Sequence, residues 1–398
     1  MIKRYLDLQK ILGAGHSSFL FGPRGVGKTI LSKQFLETVA SRFVVDLLNH
    51  EKYIRYLREP GLFRKEIEKK VKAGSRTIVL VDEIQKLPAL LDEVHSLIEA
   101  NKDSLQFLLT GSSARKLKRK GANLLAGRAW NLKLHPLSSI EIKLDLSEVL
   151  RFGSLPGIYL SNADDKAKTR TLKAYVQNYV KEEILQEAIV RKADRFLRFL
   201  DLAAQMNGEP INFTRIAKDS LVSTKTAQEY FSILEDTLLV HRLDGWTHSI
   251  KKQIQKGPKY YFFDCGVINA LRGELESEVR SGTYRFGKLF ESLVVQECIR
   301  YNDYSEKDYK IFYWRTNSGS EVDLILQKTP HHPPIAVEVK SKPDPVEKDL
   351  PGLRSFANDN HGSLLVCLCT TPVPYQLGDI HIYPWQQGLT ELFVNQPQ

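Results

Sequence analysis

A short glycine-rich segment between an apolar run and a helical pattern constrains this chain most. Residues 21–29 read FGPRGVGKT, which fits the spacing GxxxxGK followed by Ser or Thr. An apolar run at 17–22 precedes the segment, and Leu31, Phe35 and Val39 follow it at helical spacing. Glycines let backbone N–H groups turn inward around an anion, where a Cβ would intrude. The segment therefore predicts a phosphate-binding loop between a strand and a helix.

A nucleotide bound to this loop would be held by backbone amides and by two side chains. Lys28 would reach the β- and γ-phosphates, and the hydroxyl of Thr29 would bind Mg²⁺. The helix that follows adds partial positive charge at its N-terminus. We therefore expect ATP and Mg²⁺ as cofactors. The loop residues that would surround the phosphates are Gly22, Gly25, Val26 and Gly27.

Three further apolar runs alternate with helical patterns after the loop. Residues 43–48, 77–83 and 105–113 read FVVDLL, TIVLVDE and LQFLLTGSS. Strand alternating with helix is typical of a parallel sheet that is covered on both faces. We expect such a sheet at the start of the chain.

Polar side chains end the strands predicted at 77–83 and 105–113, which are the third and fourth when the run at 17–22 is counted first. Asp82 suits a position beside Mg²⁺, and Glu83 is placed to polarise the attacking water as a catalytic base. A polar residue at the end of the fourth strand can sense the γ-phosphate. Thr110 and Ser112 both fit that role, and the sequence does not choose between them.

The order of these parts resembles that of AAA-type ATPases. The segment LLAGRAWNLKLHPLSSIE at 124–141 is similar to a bacterial and archaeal AAA-type group that carries a C-terminal restriction-endonuclease-like domain. The resemblance covers essentially the whole chain. It implies a ring or another homo-oligomer, in which an arginine of one subunit completes the neighbour's site. Arg128 is the first candidate for this finger and Arg115 the second, although both also suit ordinary surface positions.

A second group of polar residues lies near the end of the chain. Glu291 falls in FGKLFESLVVQE, Asp323 in SEVDLIL, and Glu338 and Lys340 in AVEVKSK. Alternate side chains of a strand share a face, so Glu338 and Lys340 point the same way. The two neighbouring strands can bring Asp323 beside Glu338, and Glu291 lies on a helix that could pack against them.

This pattern resembles that of the PD-(D/E)XK nucleases. The resemblance implies that Asp323 and Glu338 hold Mg²⁺, aided by the carbonyl of residue 339, with Glu291 as a further acid. Lys340 would orient the water and stabilise developing charge, while the metal acts as a Lewis acid. Val322 stands where many members have Pro. Fold does not fix function, so a domain that binds without cutting stays open.

Residues 195–245 read as helix, turn, helix and short strand, which indicates a winged helix. Ala227, Tyr230, Phe231 and Leu234 fall on one apolar helical face. Acidic residues on the opposite face argue against deep docking in a DNA major groove, so a packing or subunit-joining role is the alternative.

Two basic stretches could contact phosphates, or could be solvated loops. The first comprises Arg115, Lys116, Lys118, Arg119, Lys120, Arg128 and Lys133. The second comprises His248, Lys251, Lys252, Lys256 and Lys259.

The expected fold class is an α/β multidomain chain. We expect a P-loop AAA-type parallel-sheet core at 1–145, a helical lid or linker at 146–192, a winged helix-turn-helix at 193–270 and a mixed α/β restriction-endonuclease-like domain at 271–398. No apolar run of the 398 residues approaches the ~20 that would span a bilayer. We expect a cytoplasmic protein with no membrane partner.

The combination predicts an Mg²⁺-dependent ATPase of DNA metabolism whose C-terminal domain cuts or grips DNA. The net charge of +10 gives weak support for a DNA partner. The alternative is a nucleotide-switched interaction protein, in which the nuclease-like fold binds partners only.

Overall fold

The computed structural model describes residues 2–71, 76–101, 104–113, 115, 117, 125, 127–181, 193–247 and 257–395. The chain divides into two compact units. The first unit is Met1–Pro136 with Asp236–Leu239, and the second is Leu137–Glu235 with Val240–Gln398. Within the described ranges, no helix has both the length and the apolar character needed to cross a bilayer.

The first unit is built on a parallel sheet. Its strands are β1 (Ser17–Phe21), β2 (Ser41–Asp46), β3 (Thr77–Asp82), β4 (Leu105–Gly111) and β5 (Ala129–Lys133). They are arranged in the order β2-β3-β4-β1-β5, and every neighbouring pair is parallel. The expected parallel sheet is confirmed, with small shifts at the strand ends. Because β1 lies beside β4, and β4 beside β3, the three segments that follow these strands meet at one edge.

Helices cover this sheet because its central strands are apolar on both faces. β1, β3 and β4 are buried along their whole length, as expected for inner strands of a covered parallel sheet. Phe63 packs against Phe107 of β4 with the ring centroids 6.5 Å apart. The described α-helices of this unit are α1 (Leu8–Gly13), α2 (Lys28–Glu37), α3 (His50–Arg58), α4 (Pro60–Glu68) and α5 (Leu90–Ala100).

The second unit combines helices with a mixed sheet. Side-chain caps begin several of its helices, and the carboxylate of Asp264, for example, accepts the Val267 N–H at 3.1 Å. The described α-helices are α6 (Leu146–Phe152), α7 (Pro156–Tyr159), α8 (Asp165–Tyr175), α9 (Ala193–Gln205), α10 (Phe213–Asp219), α11 (Thr224–Asp236), α12 (Cys265–Arg272), α13 (Tyr284–Ser305), α14 (Pro351–Asp359) and α15 (Trp385–Thr390).

The mixed sheet has the strand order β12-β13-β11-β10-β9-β8-β6-β7. β9 is antiparallel to both β8 and β10, whereas β10, β11 and β13 run parallel. Phe356 packs on this sheet against Trp246 and Trp314. The strands are β6 (Val240–Gly245), β7 (Lys259–Phe262), β8 (Lys310–Arg315), β9 (Glu321–Gln327), β10 (Ile335–Lys340), β11 (Leu364–Cys369), β12 (Tyr375–Leu377) and β13 (Ile380–Pro384).

The helix pair α10–α11 is followed by the antiparallel hairpin β6–β7. The four apolar residues expected on one face of α11 are all buried. The hairpin extends the mixed sheet, since Asp244 and Gly245 of β6 pair with Phe312 and Tyr313 of β8. Strands on both sides of residue 270 therefore share one sheet, and β7 is placed within reach of the C-terminal strands.

A buried polar network ties α13 to the start of the second unit. Glu297 accepts hydrogen bonds from the Ser138 hydroxyl at 2.9 Å and the Ser139 N–H at 2.7 Å. Arg300, which is also fully buried, forms an ion pair with Glu297 at 2.8 Å and donates to the carbonyl of Leu137 at 3.0 Å. The Ser-Ser pair of the segment 124–141 therefore serves to satisfy a buried carboxylate.

Candidate functional site

The loop between β1 and α2 has the backbone shape of an anion cradle. Gly25 and Gly27 have φ angles of 84° and 99°, in the left-handed region that favours glycine. A Cβ at Gly22 would lie 2.3 Å from the Leu134 carbonyl oxygen. Glycine is therefore required at Gly22 by a close approach and at the other two positions by backbone conformation.

Lys28 begins α2 and folds back over the loop. Its side chain is buried, and Nζ donates to the carbonyls of Gly22 at 2.7 Å and Pro23 at 3.1 Å. The helix N-terminus adds its own positive partial charge at this point. The loop thus keeps one full and several partial positive charges beside the space that an anion would take.

Arg4 fixes the loop from outside, and it was not among the predicted site residues. Its guanidinium donates to the carbonyl of Val26 at 2.7 Å and to that of His135 at 2.7 Å. Both acceptors are backbone groups distant from Arg4 in the chain. No residue pattern in the sequence signals such a contact.

The predicted metal-binding residues of the first unit touch each other. The Thr29 hydroxyl donates to Asp82 Oδ2 at 3.0 Å, and the Thr110 hydroxyl donates to Asp82 Oδ1. Thr110 Oγ1 also accepts the Glu83 N–H at 3.2 Å. The hydroxyl of Thr110 is therefore engaged as both donor and acceptor, and it orients the Asp82–Glu83 pair.

Glu83 is connected to Ser112 through a residue that was not predicted. Glu83 has a φ of 61°, a left-handed conformation that is uncommon for a side-chain-bearing residue. The Gln85 amide donates to the Glu83 carboxylate and, at 3.1 Å, to Ser112 Oγ. Gln85 itself is buried, and a Cβ at Gly111 would lie 2.7 Å from its Oε1. The candidate base and one of the two candidate sensors are thus held together.

The two candidate arginine fingers occupy different places. Arg128 directly precedes β5, whose Ala129 pairs with Ser17 at the amino end of β1. The loop follows the opposite end of β1, about 16 Å away at ~3.3 Å per strand residue. Arg128 forms an ion pair with Glu99 at this amino edge, so it is remote from the loop of its own chain.

Arg115 lies near the carboxyl end of β4, where its side chain is buried. It donates to Asp236 Oδ2 at 2.8 Å. A buried arginine in this ion pair is poorly placed to reach another subunit. The basic residues Lys116, Lys118, Arg119 and Lys120, and also His248, Lys251, Lys252 and Lys256, lie outside the described residues.

In the second unit, neighbouring strands bring together Asp323 and Glu338. β9 and β10 are paired up to Leu324 and Val337, which directly adjoin the two acids. Asp323 Oδ2 accepts the backbone N–H of Val339, which follows Glu338 in β10, at 2.8 Å. Glu338 Oε1 accepts from Lys340 Nζ at 2.7 Å. Glu338 and Lys340 therefore lie on one face of β10, as the alternation of side chains along a strand predicts.

Glu291 of α13 joins the same cluster through Tyr261, which was not predicted, and through Lys259, whose expected contact with phosphate is wrong because its side chain is buried. Its Oε1 accepts from the Tyr261 hydroxyl at 2.8 Å and lies 4.0 Å from Lys259 Nζ. Its Oε2 lies 3.4 Å from Lys288 Nζ. Lys259 also forms an ion pair with Glu321. The period-two spacing of Lys259 and Tyr261 on β7 places both side chains on one face of the strand, but it does not indicate their contact with Glu291.

Burial and like charge shift the protonation of this cluster. Burial raises the pKa of Asp323 well above its usual range, and the carboxylates of Glu338 and Glu291 raise that pKa further. Burial also raises the pKa of Glu338, which Lys340 offsets only in part. For Lys340, burial lowers the pKa but Glu338 more than compensates, so the ammonium pKa lies above its usual value. The charged form of Asp323 is therefore disfavoured by burial and by repulsion from its carboxylate neighbours.

A divalent cation fits two of these acids. Carboxylate oxygens are the ligands that Mg²⁺ prefers, and Glu338 Oε2 is buried without a hydrogen-bond partner among the described residues. In the same part of the chain, no group of three or more His, Cys, Asp or Glu side chains is arranged to hold a metal ion. The residues that fit are therefore Asp323 and Glu338, while Glu291 is committed to its neighbours.

Comparison with known proteins assigns families to three parts of the chain. Residues 15–143 match the model of an AAA domain. Residues 143–278 match a domain of unknown function (DUF8612), and residues 286–387 match another domain of unknown function (DUF4143).

Bacterial relatives and one solved structure are similar to the chain. Uncharacterized proteins of Mycobacterium tuberculosis and Mycobacterium bovis are each 24% identical over 340 residues, which span 85% of this chain and 73% of theirs. An uncharacterized protein of Haemophilus influenzae is 23% identical over 357 residues, 82% of this chain and 84% of its own. The structure of C. elegans PCH-2 aligns with a TM-score of 0.23 and 18% identity over 36% of this chain and 40% of that one.

The AAA match coincides with the part of the chain that forms the parallel sheet and the glycine-rich loop. Residues 15–143 therefore form an AAA-type ATPase domain.

Proposed function

We propose that this protein is an Mg²⁺-dependent ATPase that acts on DNA through a metal-dependent nuclease site in its second unit. The observation that carries the proposal is the convergence of Asp323, Glu338 and Lys340 at the ends of two paired strands, with Glu291 beside them. Two acids and a lysine with this disposition suit hydrolysis of a phosphodiester at a bound metal ion.

In the ATPase domain, each polar residue has one proposed task. Lys28 holds the β- and γ-phosphates, and Thr29 and Asp82 hold Mg²⁺. Glu83 polarises the attacking water. Ser112 is the better candidate for sensing the γ-phosphate, because the Thr110 hydroxyl is engaged by Asp82 and by the Glu83 N–H.

In the nuclease-like domain, Asp323 and Glu338 would hold the metal ion. When bound, Mg²⁺ supplies Lewis-acid activation of a phosphate oxygen and of water. Burial lowers the pKa of Lys340 but Glu338 more than offsets this effect, so the side chain stays a protonated ammonium. It therefore orients water and stabilises developing negative charge as a donor. The similarity to PD-(D/E)XK nucleases that is visible in the sequence supports this assignment.

The remaining parts of the proposal concern DNA and assembly. The helices α10 and α11 with the hairpin β6–β7 have the element order of a winged helix. Arg128 lies at the amino edge of its own sheet, distant from its own loop, so the proposed role as an arginine finger requires a homo-oligomer.

A second candidate is a nucleotide-switched interaction protein. It is favoured by a groove of about 920 Å³ beside the solvent-facing side of α11. The charged side chains that line it are Glu235, Arg242 and Asp244, and two of these three are acidic. A groove of this mixed charge suits a protein surface better than a phosphate backbone.

Cleavage assays with Mg²⁺ on single-stranded, duplex and branched DNA separate the two candidates. Glu338→Gln and Lys340→Met should each lower cleavage by about 10²-fold or more. Lys348→Met is the matched control, because Lys348 is an exposed lysine that lies close to Lys340 in the sequence but outside the cluster. If the wild type and the Lys348→Met control cleave DNA and the other two variants do not, the result supports the nuclease function. Equal cleavage by all four proteins, or none by any on every substrate, favours the interaction protein.

A further inference from the structure

We propose that Lys259 is a fixed internal cation of the acidic cluster, which comprises Glu291, Glu321, Asp323 and Glu338. Because of this internal charge, the cluster binds one divalent ion and not two. The ion would lie between Asp323 and Glu338. This inference rests on the metal site of the proposed function. Lys259 belongs to β7, which lies outside residues 286–387, so the preceding hairpin contributes a charge to the nuclease-like site.

The position of Lys259 is fixed on several sides. The residue is 1% exposed, and its ammonium forms an ion pair with Glu321. The same ammonium lies 5.2 Å from the centre of the Tyr313 ring, whose hydroxyl donates to the Gly257 carbonyl at 2.6 Å. A buried lysine with these partners cannot reach a phosphate in solvent. It acts on the acids around it.

Lys259 remains charged in this setting. Burial alone lowers the pKa of its ammonium, but Glu291, Glu321 and Asp323 more than offset that effect. A second divalent ion beside Glu291 or Glu321 would lie next to this positive charge inside the protein. Repulsion between the two cations would be strong there, because the interior screens charges weakly.

Glu291 is also unavailable as a ligand. Tyr261 donates to its Oε1 at 2.8 Å, and Lys288 lies 3.4 Å from its Oε2. Lys288 is in turn held by Glu209 at 2.8 Å. Both carboxylate oxygens of Glu291 therefore have protein partners, which agrees with the finding that no three acids in the described residues form a metal-binding group.

The remaining capacity of the cluster to bind a metal ion is centred on Glu338. Glu338 is 6% exposed, and its Oε2 has no hydrogen-bond partner among the described residues. An unpaired carboxylate oxygen at this depth is costly, and a cation is the natural partner for it. Asp323 approaches from the adjacent strand and supplies the second carboxylate.

Counting bound Mn²⁺ in the nucleotide-free full chain tests the inference. The loss of the free Mn²⁺ signal in electron paramagnetic resonance should give one ion per chain. Asp323→Asn and Glu338→Gln should abolish it. Glu291→Gln should keep one ion, with affinity weakened by about 10-fold at most. A Thr29→Ala control removes any contribution from the ATP site.

The outcomes separate the inference from the proposed function. Two ions in the wild type, or complete loss of binding in Glu291→Gln, would overturn the inference while leaving a nuclease metal site in place. No bound ion in the wild type would overturn the metal site of the proposed function, and the inference with it.

Removal of the lysine provides a second measurement. In Lys259→Gln, we expect a second bound Mn²⁺ and a larger rise in unfolding temperature on adding Mn²⁺ than in the wild type. Lys310→Gln is the control, since Lys310 is an exposed lysine of β8 in the same sheet, and this variant should bind one ion. A Lys259→Gln protein that binds one ion with a wild-type temperature shift contradicts the inference, whereas one that folds only with Mn²⁺ supports it. If it folds in neither condition, the wild-type and Glu291→Gln counts decide.

Discussion

The ATP site and the acidic cluster differ in how they are assembled. The phosphate loop is one continuous segment, and its anion-binding groups are backbone amides whose direction is set by local conformation. The acidic cluster takes side chains from β7, α13, β9 and β10. A backbone site tolerates little substitution at its glycines, whereas a side-chain site depends on the balance of nearby charges.

The two sites also differ in how their polar groups are paired. In the ATP site, Thr29, Asp82 and Thr110 form a hydrogen-bonded chain. In the acidic cluster, burial and the carboxylate of Glu338 raise the pKa of Asp323, and one oxygen of Glu338 has no hydrogen-bond partner among the described residues. We therefore expect substitutions in the ATP site to reduce function, and some substitutions in the cluster to increase stability.

The largest expected effect is that of Glu83→Gln. Glutamine keeps the size of the side chain but removes its capacity to polarise water, so ATP turnover should fall by about 10²- to 10³-fold. ATP affinity should stay close to that of the wild type. Steady-state turnover and calorimetric affinity measure the two effects, with the exposed Glu51→Gln as a control. Normal turnover would remove Glu83 from its role.

Lys28→Ala should weaken ATP binding by about 10²-fold or more, because it removes a buried charge that contacts the loop. Lys33→Ala is the matched control, since Lys33 is an exposed lysine on the same helix. Titration calorimetry with ATP and Mg²⁺ compares the two variants. Equal affinities would show that the charge of Lys28 is not used by the nucleotide.

Arg4→Ala should weaken ATP binding by about 10-fold, since Arg4 supports the loop through two charged hydrogen bonds to backbone. The adjacent exposed Lys3→Ala should have no such effect. The same calorimetric titration distinguishes them. An unchanged affinity in Arg4→Ala would mean that the loop keeps its shape without this support.

The smallest expected effect has the opposite sign and concerns the cluster. Asp323→Asn should stabilise the metal-free protein by about 1 kcal/mol at neutral pH. The folded-state pKa of Asp323 is raised, so the folded protein binds a proton more tightly than the unfolded chain. Wild-type stability should therefore fall as pH rises from the unfolded pKa of about 4 towards the folded pKa.

Denaturant unfolding in EDTA at several pH values checks this prediction. The gain in Asp323→Asn should disappear near pH 4, where the wild-type acid is protonated in both states. A variant that is less stable than the wild type at neutral pH would show that the Asp323 carboxylate is needed for its contact with the backbone of β10.

Much of the fold could be read from local pattern. The alternation of apolar runs and helical spacing predicted the parallel strands, and the burial of Ala227, Tyr230, Phe231 and Leu234 follows from their helical spacing. The sequence analysis placed the hairpin β6–β7 in a separate winged-helix region and did not predict that it extends the C-terminal sheet. Strand pairing between remote segments depends on backbone hydrogen bonds that leave no mark in the sequence.

The candidate sites divide in the same way. By itself, the sequence determined the phosphate loop, the acids after β3 and the spacing of Glu338 and Lys340, because short-range geometry places these groups. Only the tertiary structure decided that Arg4 supports the loop, that Gln85 joins Glu83 to Ser112, and that Lys259 and Tyr261 engage Glu291. Those contacts join side chains from segments that meet only when helices and sheets pack, and packing is a property of the whole chain.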